Sequence, residues 1–193
     1  SNIATAKPDA KTSPKPGTTS NYTCDSVDLD PRSKGTSTHI SVHDEPEIGS
    51  QILRYMVSMP GRCAEASVFG LAKFNGDETR LLSLPPDGVA RFRERLPGND
   101  RMVVGAPGED GGVTYIARVN DKRVAFDAAM SNWLAGLIPE VMREAAVNVP
   151  QRVARLRREG GVNGVLRAIA SMRSSAAKTA HYKALLETDD FTQ

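Results

Sequence analysis

The pattern of hydrophobic and polar positions changes once along the chain, close to residue 126. Before that point, short segments alternate between two sets of side chains, which is typical of β-strands. Residues 114–119 show it best, because Tyr115, Ala117 and Val119 fall on one side of the strand. Asn120-Asp121 follows, and both residue types tolerate the left-handed backbone of a tight hairpin turn. A strand, a turn and a short return strand at 124–126 are therefore predicted here.

Earlier segments repeat the same pattern, with turn signals such as Pro60-Gly61 and Asn75-Gly76 between them. The strands predicted in this way are 38–42, 51–59, 64–74 with a bend at Gly70, 81–84, 89–96 and 102–106. Residues 51–59 alternate only partly, so a short helix is the alternative there. Short strands that follow one another through tight turns favour a consecutive antiparallel meander.

The pattern becomes helical after Asp127, which is a good N-cap residue. Apolar residues then recur every three or four positions up to residue 145, as on one face of a helix. Trp133 lies on that face and is expected to anchor the core. Pro139 lies inside the run, and the loss of one helix hydrogen bond is expected to kink or split the helix there.

Three short helices are predicted after it, over residues 150–187. Asn148 is expected to cap the first, Pro150 to start it, and Gly160-Gly161 to end it. The fold class is thus α+β, an antiparallel β-meander followed by a C-terminal helical subdomain. The predicted parts are a disordered Pro/Lys/Ser/Thr-rich tether (1–35), the meander (36–126), a helical part packed on the sheet (127–187) and a tail (188–193).

Composition adds little to this picture. The chain has 193 residues and a formal net charge of +2, which by itself indicates neither a polyanion nor a membrane partner. No run approaches the roughly 18 apolar residues of a membrane-spanning helix. The chain begins with Ser1-Asn2, which resembles the scar of tag cleavage. We expect a leader or an N-terminal membrane anchor to precede Ser1 in the full-length protein.

The sequence has two cysteines, Cys24 at the end of the tether and Cys63 before a predicted strand. Two cysteines do not make a structural zinc site, which needs four ligands. In an oxidising compartment they could form a disulfide that ties the tether to the sheet. The alternative is two unrelated thiols.

His39 and His43 are four residues apart, so they share a face of the predicted strand, and Asp44, Glu45 and Glu47 follow. These residue types are metal ligands, and the two histidines are the candidate metal site. The alternative is a polar edge strand that leads into an acidic loop.

Arginines form two candidate partner-binding groups. Arg91, Arg93 and Arg95 alternate along one strand face, where they could grip a phosphate or carboxylate or form a solvated outer face. Arg152 and Arg155 are expected to face outward from the first C-terminal helix. These C-terminal arginines also suggest a nucleic-acid-binding alternative, although no aromatic residues or glycines are interleaved with them.

Several short motifs lie between residues 62 and 186. They are Val68-Phe69-Gly70, Phe74-Asn75-Gly76-Asp77, Leu84-Pro85-Pro86-Asp87-Gly88, Phe126-Asp127, Trp133-Leu134, Arg152-Val153-Ala154-Arg155-Leu156, Gly160-Gly161-Val162, Leu166-Arg167-Ala168-Ile169 and the stretch from Ser174 to Lys178. With these motifs the chain resembles an uncharacterised bacterial envelope module, a β-meander followed by short helices. The module is attached to membrane-anchored proteins, some of them related to sensor metallopeptidases of the β-lactam receptor type.

The resemblance implies an envelope setting and says little about activity. Ser175 stands where the module usually has Asp. The zinc-binding His-Glu-x-x-His of the peptidases does not occur in this sequence, so proteolysis is not implied.

The sequence shows no nucleophile elbow and no phosphate-binding glycine-rich loop. We therefore expect a non-catalytic periplasmic interaction or sensory domain on a flexible tether, without a cofactor. It would bind a protein partner in the cell envelope and reach the membrane only through an N-terminal anchor. One alternative is an envelope inhibitor or immunity-type protein that acts through a loop such as 105–112. The other, less favoured, is a nucleic-acid-binding protein.

Overall fold

A computed structural model describes residues 23–32, 35–45 and 50–188. A short 3₁₀ helix (Cys24–Ser26) precedes the strands. The strands are β1 (Ser37–Glu45), β2 (Ser50–Met59), β3 (Arg62–Phe69), β4 (Lys73–Phe74), β5 (Leu81–Ser83), β6 (Val89–Leu96), β7 (Asn99–Pro107), β8 (Val113–Val119) and β9 (Lys122–Val124). The helices are α1 (Ala128–Glu144), α2 (Val149–Ala170) and α3 (Ser175–Thr188).

Seven of these strands form one antiparallel sheet in the order β1-β2-β3-β6-β7-β8-β9. β4 and β5, which lie between β3 and β6 in the chain, form a separate two-stranded hairpin. The β8–β9 turn places Asn120 and Asp121 at φ 49° and 63°, as the hairpin prediction requires. The predicted α+β fold, a meander followed by helices, is confirmed.

The prediction of one strand over 64–74 is wrong, because β3 ends at Phe69. Gly70 has φ +93°, and a Cβ atom there would lie 2.5 Å from Cγ of Pro85. Only glycine fits this close approach without strain. The chain therefore turns at Gly70 and continues into the β4–β5 hairpin.

The first hydrophobic core lies between α1 and one face of the seven-stranded sheet, which we call the inner face. Its most buried members include Val57, Ala64, Phe92, Val103, Ala117, Ile138 and Val141. Asp127 caps α1 as predicted, because its Oδ1 accepts from the Met130 amide at 3.0 Å. Pro139 does not split α1, because the helix continues through it to Glu144. Leu137, Ile138 and Val141, on both sides of the proline, are buried in the same core.

The second hydrophobic core is formed by α2 and α3. Its buried members are Val149, Val153, Val165, Ile169, Met172, Ala177, Ala184 and Leu185. Gly160 and Gly161 have non-helical backbone angles, so the first helical segment of α2 ends there, as predicted, and a second segment continues to Ala170. Asn148 has φ 55° and its side chain makes no capping hydrogen bond, contrary to the predicted cap. Hence α1 packs on the sheet, whereas α2 and α3 pack on each other.

The N-terminal segment 24–29 is not part of a free tether, although the tether was predicted to reach residue 35. Cys24 is buried, and Val27 and Leu29 pack against it, Cys63 and Met56. Residues 1–22 and 33–34 of the predicted tether lie outside the described residues, as does the tail from residue 189.

Candidate interaction surface

The sheet has an outer face, opposite α1, and β6 shows how the two faces differ. Ala90 and Phe92 are 0% and 1% exposed within the first core. Arg91, Arg93 and Arg95 alternate with them and therefore lie on the outer face. The predicted alternation of this strand is confirmed, and the three arginines lie side by side.

Arg93 and Arg95 are held by acidic groups and by the N-terminal segment. Arg93 donates from Nε and Nη2 to Asp100 at 2.9 and 2.6 Å, and its Nη1 lies 2.9 Å from Asp25. The hydrogen bonds to Asp100 raise the pKa of Arg93. Arg95 donates to the carbonyl oxygen of Cys24. Both side chains thus fix segment 24–29 on the sheet.

Arg91 is the most exposed of the three arginines. Its side chain is 41% exposed, and its Nη2 lies 3.2 Å from Oε1 of Glu65. Its Nε is buried and has no hydrogen-bond partner in the described ranges. A cavity of about 260 Å³ lies between Arg91 and Arg118, with Asp25 and Asp121 also on its wall. Arg91 and Arg118 therefore retain donors for a partner group.

An apolar strip crosses the outer face beside these arginines. Phe69 on β3 lies opposite Val89 on β6, and Val104 on β7 lies opposite Ile116 on β8. Phe69, Val89 and Ile116 are 38%, 42% and 43% exposed. Adjacent exposed apolar side chains with a polar border are typical of interaction sites. We define the candidate interaction surface as these four residues together with Arg54, Arg91 and Arg118.

Cys24 and Cys63 form a disulfide with an S–S distance of 2.06 Å, so the predicted bond is confirmed. Both cysteines are fully buried. The Cys24 amide donates to Oε2 of Glu65 at 2.7 Å. The bond ties segment 24–29 to β3 at one end of the outer face. A structural disulfide indicates an oxidising, extracytoplasmic compartment.

The expectation that Arg152 faces outward is wrong. Arg152 is 4% exposed and bonds the equally buried Glu78 of the β4–β5 hairpin. Without Arg152, the buried carboxylate of Glu78 would have no compensating charge, which is unfavourable, so the pairing stabilises both buried groups. Arg155 is half-buried, with Nη2 3.7 Å from Glu78. These two arginines therefore join the two cores, which weakens the case for a nucleic-acid surface on α2.

Of the two histidines of the candidate metal site, the structure describes the side chain of His39 alone. His39 lies on β1, where its Nε2 is 3.1 Å from Oγ of Ser37. The side chain of His43 lies outside the described part. Within the described residues, no group of three or more potential ligands could hold a metal ion. The metal hypothesis stays a prediction.

A second polar cluster, which sequence reasoning missed, joins the sheet to the helices. Arg62 donates to Glu94 at 2.6 Å and to both oxygens of Glu140 at 2.9 and 2.8 Å. Burial alone would raise the pKa of Glu140, but hydrogen bonds from Arg62 and Arg173 lower it to about 2. Trp133 donates to Glu94 at 2.8 Å. These groups satisfy one another, so the cluster serves the fold.

Comparisons of the chain with family models, curated proteins and solved structures found no match. None of the helices in the described part is both long and apolar enough to cross a membrane.

Proposed function

We propose that this chain is a non-catalytic binding domain of the bacterial periplasm that recruits a protein partner through its outer sheet face. The single observation behind the proposal is the apolar strip of Phe69, Val89, Val104 and Ile116 on the face opposite α1, which no α-helix of the described residues covers. A sheet buries one face on its own core, and exposed apolar residues on the other face favour association.

The charges beside the strip favour one kind of partner. Arg54 and Arg118 are exposed, and no ion pair of either is found within the described ranges. Arg54 and Arg91 lie opposite the same residue, Ser67, from its two sides. Arginine binds carboxylates through two parallel hydrogen bonds. The proposed occupant is therefore a protein segment that carries carboxylates next to aliphatic side chains.

The buried disulfide supports the compartment, because such bonds persist in oxidising environments. The motif resemblance to an envelope module supports the periplasm in particular. The strongly perturbed groups Glu140, Arg62 and Tyr55 support a non-catalytic role, because they bond one another between the sheet and α1. The proposal therefore assigns them to stability.

The test is co-purification from the native envelope fraction with matched variants. Ile116→Lys and Val89→Lys each place a charge on the apolar strip. Leu82→Lys is the control, because Leu82 is 42% exposed on β5, away from the outer face. Surface substitutions of this kind change stability by roughly 0.5 kcal/mol or less.

The proposal expects one stoichiometric partner that both strip variants lose and that Leu82→Lys keeps. Its contacting segment should contain Asp or Glu. Equal capture by all variants would contradict the proposal, and so would a partner lost only with Leu82→Lys.

A further inference from the structure

A cleft opens between the β4–β5 hairpin, β8 and the start of α1, on the inner side of the sheet. Its volume is about 280 Å³, and Arg80, Tyr115, Phe126, Ser131 and Leu134 contribute to its wall. Sites for small molecules usually begin at roughly 300 Å³. The volume of this cleft lies just below that range, so it has room only for a small ligand, and its wall shares no residue with the candidate interaction surface.

One wall of the cleft is flat and apolar. The rings of Tyr115 and Phe126 stack with centroids 4.3 Å apart and an interplanar angle of 22°. Leu134, which is 3% exposed, and Ala135 extend this wall from α1. Aromatic faces pack well against other flat groups. The wall therefore favours a ligand with a planar apolar part.

Most polar groups at the cleft are already engaged. Asn75 donates from Nδ2 to Thr79 Oγ1 at 3.0 Å, and its Oδ1 accepts from the Arg80 amide at 2.7 Å. The Tyr115 hydroxyl donates to the Leu81 carbonyl oxygen at 3.3 Å. These bonds shape the hairpin, so they leave few groups for a ligand.

Two donors remain, the Arg80 guanidinium and the Ser131 hydroxyl. Arg80 is exposed, and the described part of the chain supplies no carboxylate to pair with it. Ser131 lies on the first turn of α1 and is also an exposed residue. A guanidinium and a hydroxyl at the mouth of an apolar cleft favour an anion, and the planar fork of arginine suits a carboxylate.

We propose that this cleft binds a small carboxylate with a planar apolar group. Arg80 takes the carboxylate, and the stacked Tyr115–Phe126 wall takes the apolar group. Binding needs both parts of the site, because an exposed ion pair with Arg80 contributes little binding free energy by itself.

The experiment titrates the isotopically labelled full chain with small-molecule probes and monitors binding through the amide ¹H–¹⁵N chemical shifts. The probes are benzoate, benzamide, which has the same shape without the charge, and inorganic phosphate, which has charge without an apolar group. Arg80→Gln removes the charge at the cleft. Arg118→Gln on the outer face is the matched control.

We expect benzoate to give saturable shifts at the amides of Thr79, Arg80 and Ser131. Benzamide, phosphate and the Arg80→Gln variant with benzoate should each bind roughly tenfold more weakly or worse, whereas Arg118→Gln should bind like the unchanged chain. The absence of saturable benzoate shifts would overturn the proposal. Equal binding by Arg80→Gln, or phosphate binding as tight as that of benzoate, would also overturn it.

Discussion

Arg152 of α2 donates two hydrogen bonds to Glu78 of the β4–β5 hairpin, Nε to Oε2 and Nη2 to Oε1, both at 2.7 Å. Nη1 of Arg152 also lies 3.1 Å from Nε2 of His181. Glu78 has φ +61°, a backbone conformation that is unfavourable for glutamate. The pair therefore holds a strained hairpin residue against the second core and joins the two halves of the molecule.

Arg152→Met should destabilise the protein by about 3–5 kcal/mol, because it leaves the Glu78 carboxylate buried without its partner. Urea unfolding measures the loss. Arg158→Met is the control, since Arg158 is exposed on the same helix. A loss equal to that of the control would show that the pair contributes nothing.

The double variant Glu78→Gln with Arg152→Met, compared with the two single variants, measures the interaction free energy between these two side chains. It removes both charges, so it should be less destabilised than the sum of the two single variants. Additive losses would mean that the two side chains do not interact.

Stability should fall as the pH drops below about 6.5 because of His181. Burial lowers the pKa of this fully buried histidine more than its hydrogen bond to the Ala177 carbonyl oxygen raises it, and the charge of Arg152 lowers it further. The nearby carboxylate of Glu78 and the cation of Arg143 act in opposite directions on it. Near neutral pH the unfolded state therefore binds a proton more readily than the folded state does. Stability is lost as the pH falls through the pKa that His181 has in the unfolded state.

Denaturant unfolding at several pH values between about 7.5 and 5.5 checks this effect. His181→Gln should flatten the loss of stability in that window, whereas His39→Gln removes a histidine outside the second core and serves as the control. An unchanged slope in His181→Gln would assign the pH dependence to other groups. Glu140 acts in a separate window, because its lowered pKa of about 2 makes its contribution disappear only at more acidic pH.

The disulfide should contribute about 3–4.5 kcal/mol, the range for loops of this order, since it links residues 39 apart in sequence. The double variant Cys24→Ala with Cys63→Ala should lose that much in urea unfolding. It should also lose amide exchange protection in segment 24–29, which the bond holds on β3. A loss below about 1 kcal/mol would show that the hydrogen bonds of segment 24–29 suffice.

The regular parts of this fold could be predicted because they depend on local patterns. The alternation of β6, the Asn120-Asp121 turn and the Asp127 cap all follow from neighbouring residues. Of the candidate interaction surface, the sequence analysis named Arg91, whereas the apolar strip was not predicted. Its signal was nevertheless present, since Val89 and Ile116 fall on the polar side of their strands. Apolar residues in a polar row are the signal of an exposed strip.

The long-range polar pairs could not be predicted. Glu78 and Arg152 are 74 residues apart, and nothing local distinguishes Arg152 from the other arginines of α2. The same holds for Arg62 and Glu140, which are 78 residues apart. Their burial follows from how the hairpin and the helices meet, so it depends on tertiary packing rather than on sequence pattern.

Site-specific photo-crosslinking in native cells tests the central claim, that the outer sheet face recruits a protein partner, most directly. A photoreactive residue is placed at position 116 on the apolar strip or at position 82 on β5, because Ile116 and Leu82 have similar exposure, 43% and 42%. The account predicts a crosslink from position 116 to one envelope protein, within a segment that contains carboxylates, and none from position 82. A crosslink from position 82 alone, or none from either position, would contradict it.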